Sequence, residues 1–312
     1  MSDDAQREFR EVQAYLRLPG VGLVEKDIHV VRAIAALAAL DAAPFALVFG
    51  GGTALARAHK LVRRMSEDVD FKIVPLPAAP VSRSGLHRQL SALRKRVATA
   101  LEAAGFAFDP ADEAQVRSQN ESRYTIFQLP YAAAGAGEGL RPTIQIELTY
   151  APLRTAPVTL PVSSFVAEAL GRAPEVAQIS CVSLLETAAE KLIALTRKTA
   201  AELAGLVPNP DPTLVRHIYD LHVMRTHVDL AAVSALARDI ATTDAEQFRN
   251  QYPAYATDIA GETRKALHAL RTDAAYRDRY DRFLADMVYG EQSGFDEAFA
   301  TVIGLAENAW RR

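Results

Sequence analysis

Three consecutive glycines, Gly50, Gly51 and Gly52, follow an unbroken apolar run, Phe45-Ala46-Leu47-Val48-Phe49. A short apolar run that stops at glycines reads as a buried strand ending in a turn. After Thr53, Ala54-Leu55-Ala56-Arg57-Ala58 opens a helical pattern. Glycines at a strand-to-helix turn let backbone N–H groups approach a polyphosphate, and the helix N-terminus adds a favourable dipole. Thr53 either caps that helix or contacts phosphate. The next regular segment, Asp68-Val69-Asp70-Phe71-Lys72-Ile73-Val74, alternates polar and apolar residues with the period of a half-buried strand. Period two puts both carboxylates on one face. Two hard oxygen donors so placed suit Mg²⁺, and a pair of metals roughly 4 Å apart can activate an entering hydroxyl and steady a leaving pyrophosphate. The competing reading is a solvent-facing edge strand whose charges stay wet.

The same residues carry a resemblance. Gly51-Gly52-Thr53-Ala54-Leu55, then Arg64-Met65-Ser66-Glu67-Asp68-Val69-Asp70-Phe71, resembles the first motif of the AbiEii/AbiGii (MenT-like) toxins of the DNA polymerase β-like nucleotidyltransferase superfamily. Lys26-Asp27 ahead of the first long apolar helix, Glu190-Lys191-Leu192 with Ala194-Leu195, His217-Ile218-Tyr219-Asp220-Leu221, Tyr280-Asp281-Arg282-Phe283-Leu284 and Phe295-Asp296-Glu297 extend it over nearly the whole chain. The chain departs in a Pro-rich loop between Lys198 and Arg216, which sets Lys191 and Asp220 further apart than the resemblance leads one to expect. The resemblance implies an α+β fold, with a mixed catalytic sheet flanked by helices and then a helical bundle. It also implies transfer of a nucleoside monophosphate from an NTP to the 3′ end of tRNA, blocked translation and a cognate antitoxin.

The chain has 312 residues, 49% of them hydrophobic, enough for a substantial core in one large domain or two ordinary ones. A net charge of −3 gives no global basic signature, so contact with nucleic acid requires a local patch. The single cysteine, Cys181, excludes an intrachain disulfide and a cysteine metal cage, and its apolar neighbours read as core. Met1-Ser2-Asp3-Asp4 lacks a basic or apolar leader, and Ala33 to Leu40 falls short of the roughly 20 residues that span a bilayer. A cytoplasmic protein that does not enter the membrane is expected.

Helices are expected near residues 6–17 and 25–41, the second with an Ile28, Val31, Ile34, Leu37 and Leu40 stripe. Pro75, Pro77 and Pro80 mark a loop, and Leu86, Leu90, Leu93, Val97 and Leu101 form the core face of a third helix. Arg88, Arg94, Lys95 and Arg96 on its other side, with Lys60, Arg63 and Arg64, are the densest basic material, either a solvated face or an RNA contact. Tyr124 to Leu129, a Gly/Ala-rich loop from Ala132 to Gly139, and Thr143 to Tyr150 read as an antiparallel pair. Glu147 shares the polar face of the second strand with Gln145 and Thr149, so it is either an exposed strand residue or the third metal-binding acid that the resemblance implies. Beyond about Pro161 helical periodicity dominates. The expected domains are therefore 1–160, catalytic, and 161–312, a helical bundle that completes the nucleotide cleft.

In the helix expected over 182–198, Leu184, Ala188, Lys191 and Leu195 share a face, which places Lys191 where burial is expected. A buried lysine needs an anion, and a triphosphate or a carboxylate would serve; otherwise its ammonium snorkels to water. Asp220 is either a helix-to-helix tether or, by the resemblance, an active-site acid that orients Lys191. Ser66 is a phosphate contact, a modification site or a solvated serine; His217 and His222 read as surface or supporting residues. The expected site therefore comprises Asp68, Asp70, Lys191 and Asp220 for catalysis, Gly51, Gly52, Thr53, Ser66 and Lys191 for the nucleotide, and Asp68, Asp70 and Glu147 for Mg²⁺. Rival readings keep the chemistry but use a small-molecule or protein hydroxyl, or keep only the fold as a binding module.

Overall fold

The computed structural model describes residues 3–79, 82–131 and 140–310. Pro80 and the Gly/Ala-rich segment Ala132 to Gly139, both expected in loops, lie outside the described residues, as do Met1 and Ser2. The described residues up to Lys60 and from Arg64 to Val182 form one compact unit; Leu61–Arg63 with those from Ser183 onward form a second.

The first unit runs α1 (Asp3–Leu16), α2 (Val21–Ala38), β1 (Phe45–Gly50), α3 (Gly51–Arg57), β2 (Asp68–Pro75), α4 (Arg83–Ala103), β3 (Val116–Gln119), β4 (Tyr124–Pro130), β5 (Thr143–Tyr150), β6 (Val158–Val162), α5 (Phe165–Ala169) and β7 (Val176–Cys181). Its strands form one seven-stranded sheet in the order β3-β4-β5-β2-β1-β7-β6. The β1/β2, β3/β4, β4/β5 and β6/β7 pairs are antiparallel, whereas β2/β5 and β1/β7 are parallel. Alternation along β2 and β5 buries Val69, Phe71, Ile73, Ile144, Ile146 and Leu148 against Ile34 and Leu37 of α2 and Leu90, Leu93 and Val97 of α4. Each large apolar side chain so buried contributes about 1.5–3 kcal/mol, so the alternation fixes which face of the sheet turns inward.

Three sequence readings need correction here. β2 lies in the interior of the sheet, between β1 and β5, so the edge-strand alternative for Asp68 and Asp70 does not hold. Lys26 and Asp27 fall inside α2 and are buried, rather than ahead of the helix. Strand structure also continues past residue 160. β7 pairs with both β1 and β6, and the compact unit that contains it extends to Val182, beyond the boundary expected at 160.

The second unit is helical: α6 (Leu184–Leu203), α7 (Arg216–Met224), α8 (Leu230–Phe248), α9 (Pro253–Thr257), α10 (Ile259–Thr272), α11 (Ala274–Met287) and α12 (Phe295–Trp310). α6 packs on α7, α8 and α10, and α12 on α7 and α8. Ser183 caps α6 by accepting from the Glu186 N–H at 3.1 Å, which fixes where that helix begins. No helix among the described residues is long and apolar enough to cross a membrane.

Candidate active site

The glycine turn lies directly over the Asp70 carboxylate. Gly51 has φ of +71°, and a Cβ built there would sit 1.8 Å from Asp70 Oδ2, so only glycine fits. A Cβ on Gly52 would sit 2.5 Å from Arg64 Nη2 and 2.8 Å from Ser66 Oγ. The turn therefore lies against the Asp70, Arg64 and Ser66 side chains with no room for side chains of its own at Gly51 and Gly52. Gly50 is the N-cap of α3, so Thr53 does not cap that helix. Thr53 is buried inside it and donates to the backbone carbonyl of Asp68, tying turn to strand. Ser66 precedes β2 instead of lying in it, because the strand begins at Asp68.

Asp68 and Asp70 share the polar face of β2, and Asp70 is directly opposite Glu147 across the parallel β2/β5 pair. Sheet register thus brings the three expected acids into one neighbourhood. Their side chains have other engagements, however. Asp68 is paired with Arg141, while Glu147 accepts from the Tyr124 hydroxyl at 2.8 Å and from Gln145 Nε2 at 2.5 Å. Burial first, then the Glu147 charge, pushes the Tyr124 phenol well above its ordinary pKa, so it remains the donor. Among the described residues no three His, Cys, Asp or Glu side chains form a ready metal cluster. Mg²⁺ is usually held by one or two carboxylates plus substrate phosphates, so the hard-donor pair Asp68 and Asp70 fits that ion without a closed protein cage.

In the helical unit, Lys191 Nζ meets Asp220 Oδ2 at 2.8 Å, with both side chains buried. The Pro-rich loop before Arg216 therefore does not keep them apart: α6 and α7 pack directly, and the buried cation has the carboxylate partner its helical face demands. His217 and His222 are buried, not on the surface. Burial first, then the Lys191 charge, holds His217 far below the ordinary imidazole pKa, so it is neutral at physiological pH. Cys181 is fully buried, and burial raises its thiol to about 12, leaving it unreactive as expected. The expected basic patch is also reduced. Arg64 is buried and donates to the Met65 carbonyl at 2.9 Å, Arg96 donates to the Asp41 and Ala43 carbonyls, and Lys60 pairs with Glu168.

Residues 32–301 match the family model described as nucleotidyl transferase AbiEii toxin, type IV toxin–antitoxin system. The chain belongs to the AbiEii toxin family. It is accordingly a nucleotidyltransferase-type toxin chain, and enzymes of this kind typically use an NTP and a divalent metal. Its fold is similar to that of MenT4, a nucleotidyltransferase toxin from Mycobacterium tuberculosis H37Rv. The two share 15% identity and a TM-score of 0.51, with 96% of this chain and 98% of that one covered. No curated protein matches it in sequence.

Around the motif of this AbiEii-family chain stand charged residues that local patterning did not single out. Lys26, wholly buried in α2, pairs with Glu67 and donates to the Arg141 carbonyl at 2.8 Å. Asp27 accepts from the Phe165 N–H at 2.6 Å and pairs with Arg57 at 3.4 Å; the Arg57 guanidinium lies 3.8 Å over the Phe165 ring. A signal for both was available: charges that fall between the apolar residues Leu23 and Val24 and the stripe from Ile28 onward on one helix require buried partners.

Proposed function

We propose that this AbiEii-family toxin chain transfers a nucleoside monophosphate from an NTP to an RNA hydroxyl in a Mg²⁺-dependent reaction, with the 3′ end of tRNA as acceptor and blocked translation as the outcome. The observation that carries the reading is the contact between Gly51 and Asp70, which sets a backbone turn fit for a polyphosphate against the carboxylate pair Asp68 and Asp70. Membership of a nucleotidyl transferase family supports the same reaction class.

In this reading Asp68 and Asp70 hold Mg²⁺, which when bound supplies the positive charge that phosphoryl transfer needs. The backbone of Gly51 and Gly52 and the Ser66 hydroxyl bind the triphosphate, and Thr53 fixes the turn that presents them. Glu147, oriented by Tyr124 and Gln145, adds negative charge opposite Asp70 in the register. Lys191 serves as a phosphate-binding cation, and Asp220 keeps it charged and oriented inside an apolar bundle. A cognate antitoxin follows from membership of a type IV toxin–antitoxin family, and a cytoplasmic site of action follows from a tRNA acceptor.

The test is incubation of the purified protein with each labelled NTP in turn, Mg²⁺ and total RNA, followed by separation of RNA by size. Label from one or two NTPs in the tRNA band is the expected result. Label that appears only in protein or in small molecules would overturn the acceptor assignment.

A further inference from the structure

Asp68 already holds a cation. Arg141, just before β5, donates from Nη2 to Asp68 Oδ1 and from Nη1 to Gln145 Oε1 at 3.1 Å, while its Nε faces Glu67 Oε2 at 3.4 Å. Its main chain is held separately: the Arg141 N–H donates to Glu67 Oε1 at 3.0 Å, and the Arg141 carbonyl accepts from Lys26 Nζ at 2.8 Å. The segment just before β5 is thus anchored without the guanidinium, and the Arg141 side chain is 41% exposed. An arginine needed only to brace this segment would not have its charged end on the Asp68 carboxylate.

We infer that Arg141 is a place-holder cation, which pairs with Asp68 and must yield that carboxylate when a divalent ion binds. This inference rests on the reading of Asp68 as a metal ligand. Asp68, Asp70 and Glu147 lie on adjoining strands with Glu67 just before the first, and like charges so close together are costly without compensation. Arg141 supplies one compensating charge next to Asp68 and Lys26 supplies another at Glu67. A guanidinium and a divalent ion draw on the same negative charge of Asp68, so the first raises the concentration of the second needed to bind. The expected consequence is weak metal binding until a nucleotide triphosphate adds its own oxygens.

The test is Mn²⁺ binding to the intact, nucleotide-free chain, read as loss of the free-ion electron paramagnetic resonance signal at fixed ionic strength. Circular dichroism melts are run alongside. Arg141→Gln keeps the backbone bonds to Glu67 and Lys26 and is expected to bind Mn²⁺ about tenfold more tightly than the natural chain. Arg141→Lys, which keeps the charge, is expected to stay near it. A folded Arg141→Gln protein that binds Mn²⁺ no more tightly than the natural chain overturns the inference, since a mere structural defect can only weaken binding. Asp68→Asn separates the two claims. If that variant loses Mn²⁺ while Arg141→Gln gains nothing, only the place-holder fails; if it binds Mn²⁺ normally, the metal-ligand reading fails and the place-holder falls with it.

Discussion

Gly51 and Asp70 cannot change independently, because the carboxylate occupies the space a Gly51 side chain would need. Gly51→Ala is expected to cost about 1–3 kcal/mol from the left-handed backbone alone. Displacement of Asp70 should lower nucleotidyl transfer by at least tenfold, as chemical denaturation and a transfer assay would show. Asp27 offers a pH signature at the same scale. Burial raises its carboxyl to about 6, partly opposed by Arg57 and the Phe165 N–H. The unfolded group titrates near 3.8, so the native state holds the extra proton between those values. Asp27's contribution to stability is therefore full below about pH 4 and lost as pH rises through 6. Asp27→Asn has no such proton, so its stability relative to the natural chain should improve from about pH 4 to about 6 and level off above it. Denaturation midpoints across that range that stay parallel would contradict this.

Among the elements, α6 and α7 are joined by the buried ion pair of Lys191 and Asp220. Methionine at 191 keeps the stem's packing but deprives a fully buried carboxylate of the Lys191 ammonium, so Lys191→Met should lose about 3–5 kcal/mol. Lys191→Met combined with Asp220→Asn should recover most of that stability and still lack transfer activity; recovery of activity as well would make the pair purely structural. Sequence patterning found α6 and placed Lys191 on its buried face, because a period of 3.6 is visible locally. It did not find the contact, which depends on how two helices pack across a long loop. β2 and β5 were legible because strict alternation marks a half-buried strand, and their polar faces gave Asp68, Asp70 and Glu147 directly. β7 was missed: Val176-Ala177-Gln178-Ile179-Ser180-Cys181 alternates weakly and lies next to the β6/α5 turn signals. Arg141 was illegible for another reason. Its acidic partners stand 73 and 74 residues away in sequence, and no local pattern encodes a pairing made by sheet register.

At the scale of the whole molecule, an AbiEii-family chain with an intact carboxylate pair and glycine turn should act as a growth inhibitor. Its expression without a neighbouring antitoxin gene is expected to arrest growth, and Asp68→Asn should relieve the arrest at equal protein level. Unimpaired growth with well-folded natural protein, in the native host as well as others, would contradict this. The most direct measurement is transfer of labelled nucleotide to RNA by the purified natural chain, Asp68→Asn and Asp70→Asn at matched Mg²⁺, with melts to show that all three fold. Label on RNA is expected from the natural chain, with a loss of at least a hundredfold in each variant, since each deletes a carboxylate charge proposed to hold Mg²⁺. Wild-type turnover in either folded variant would contradict it.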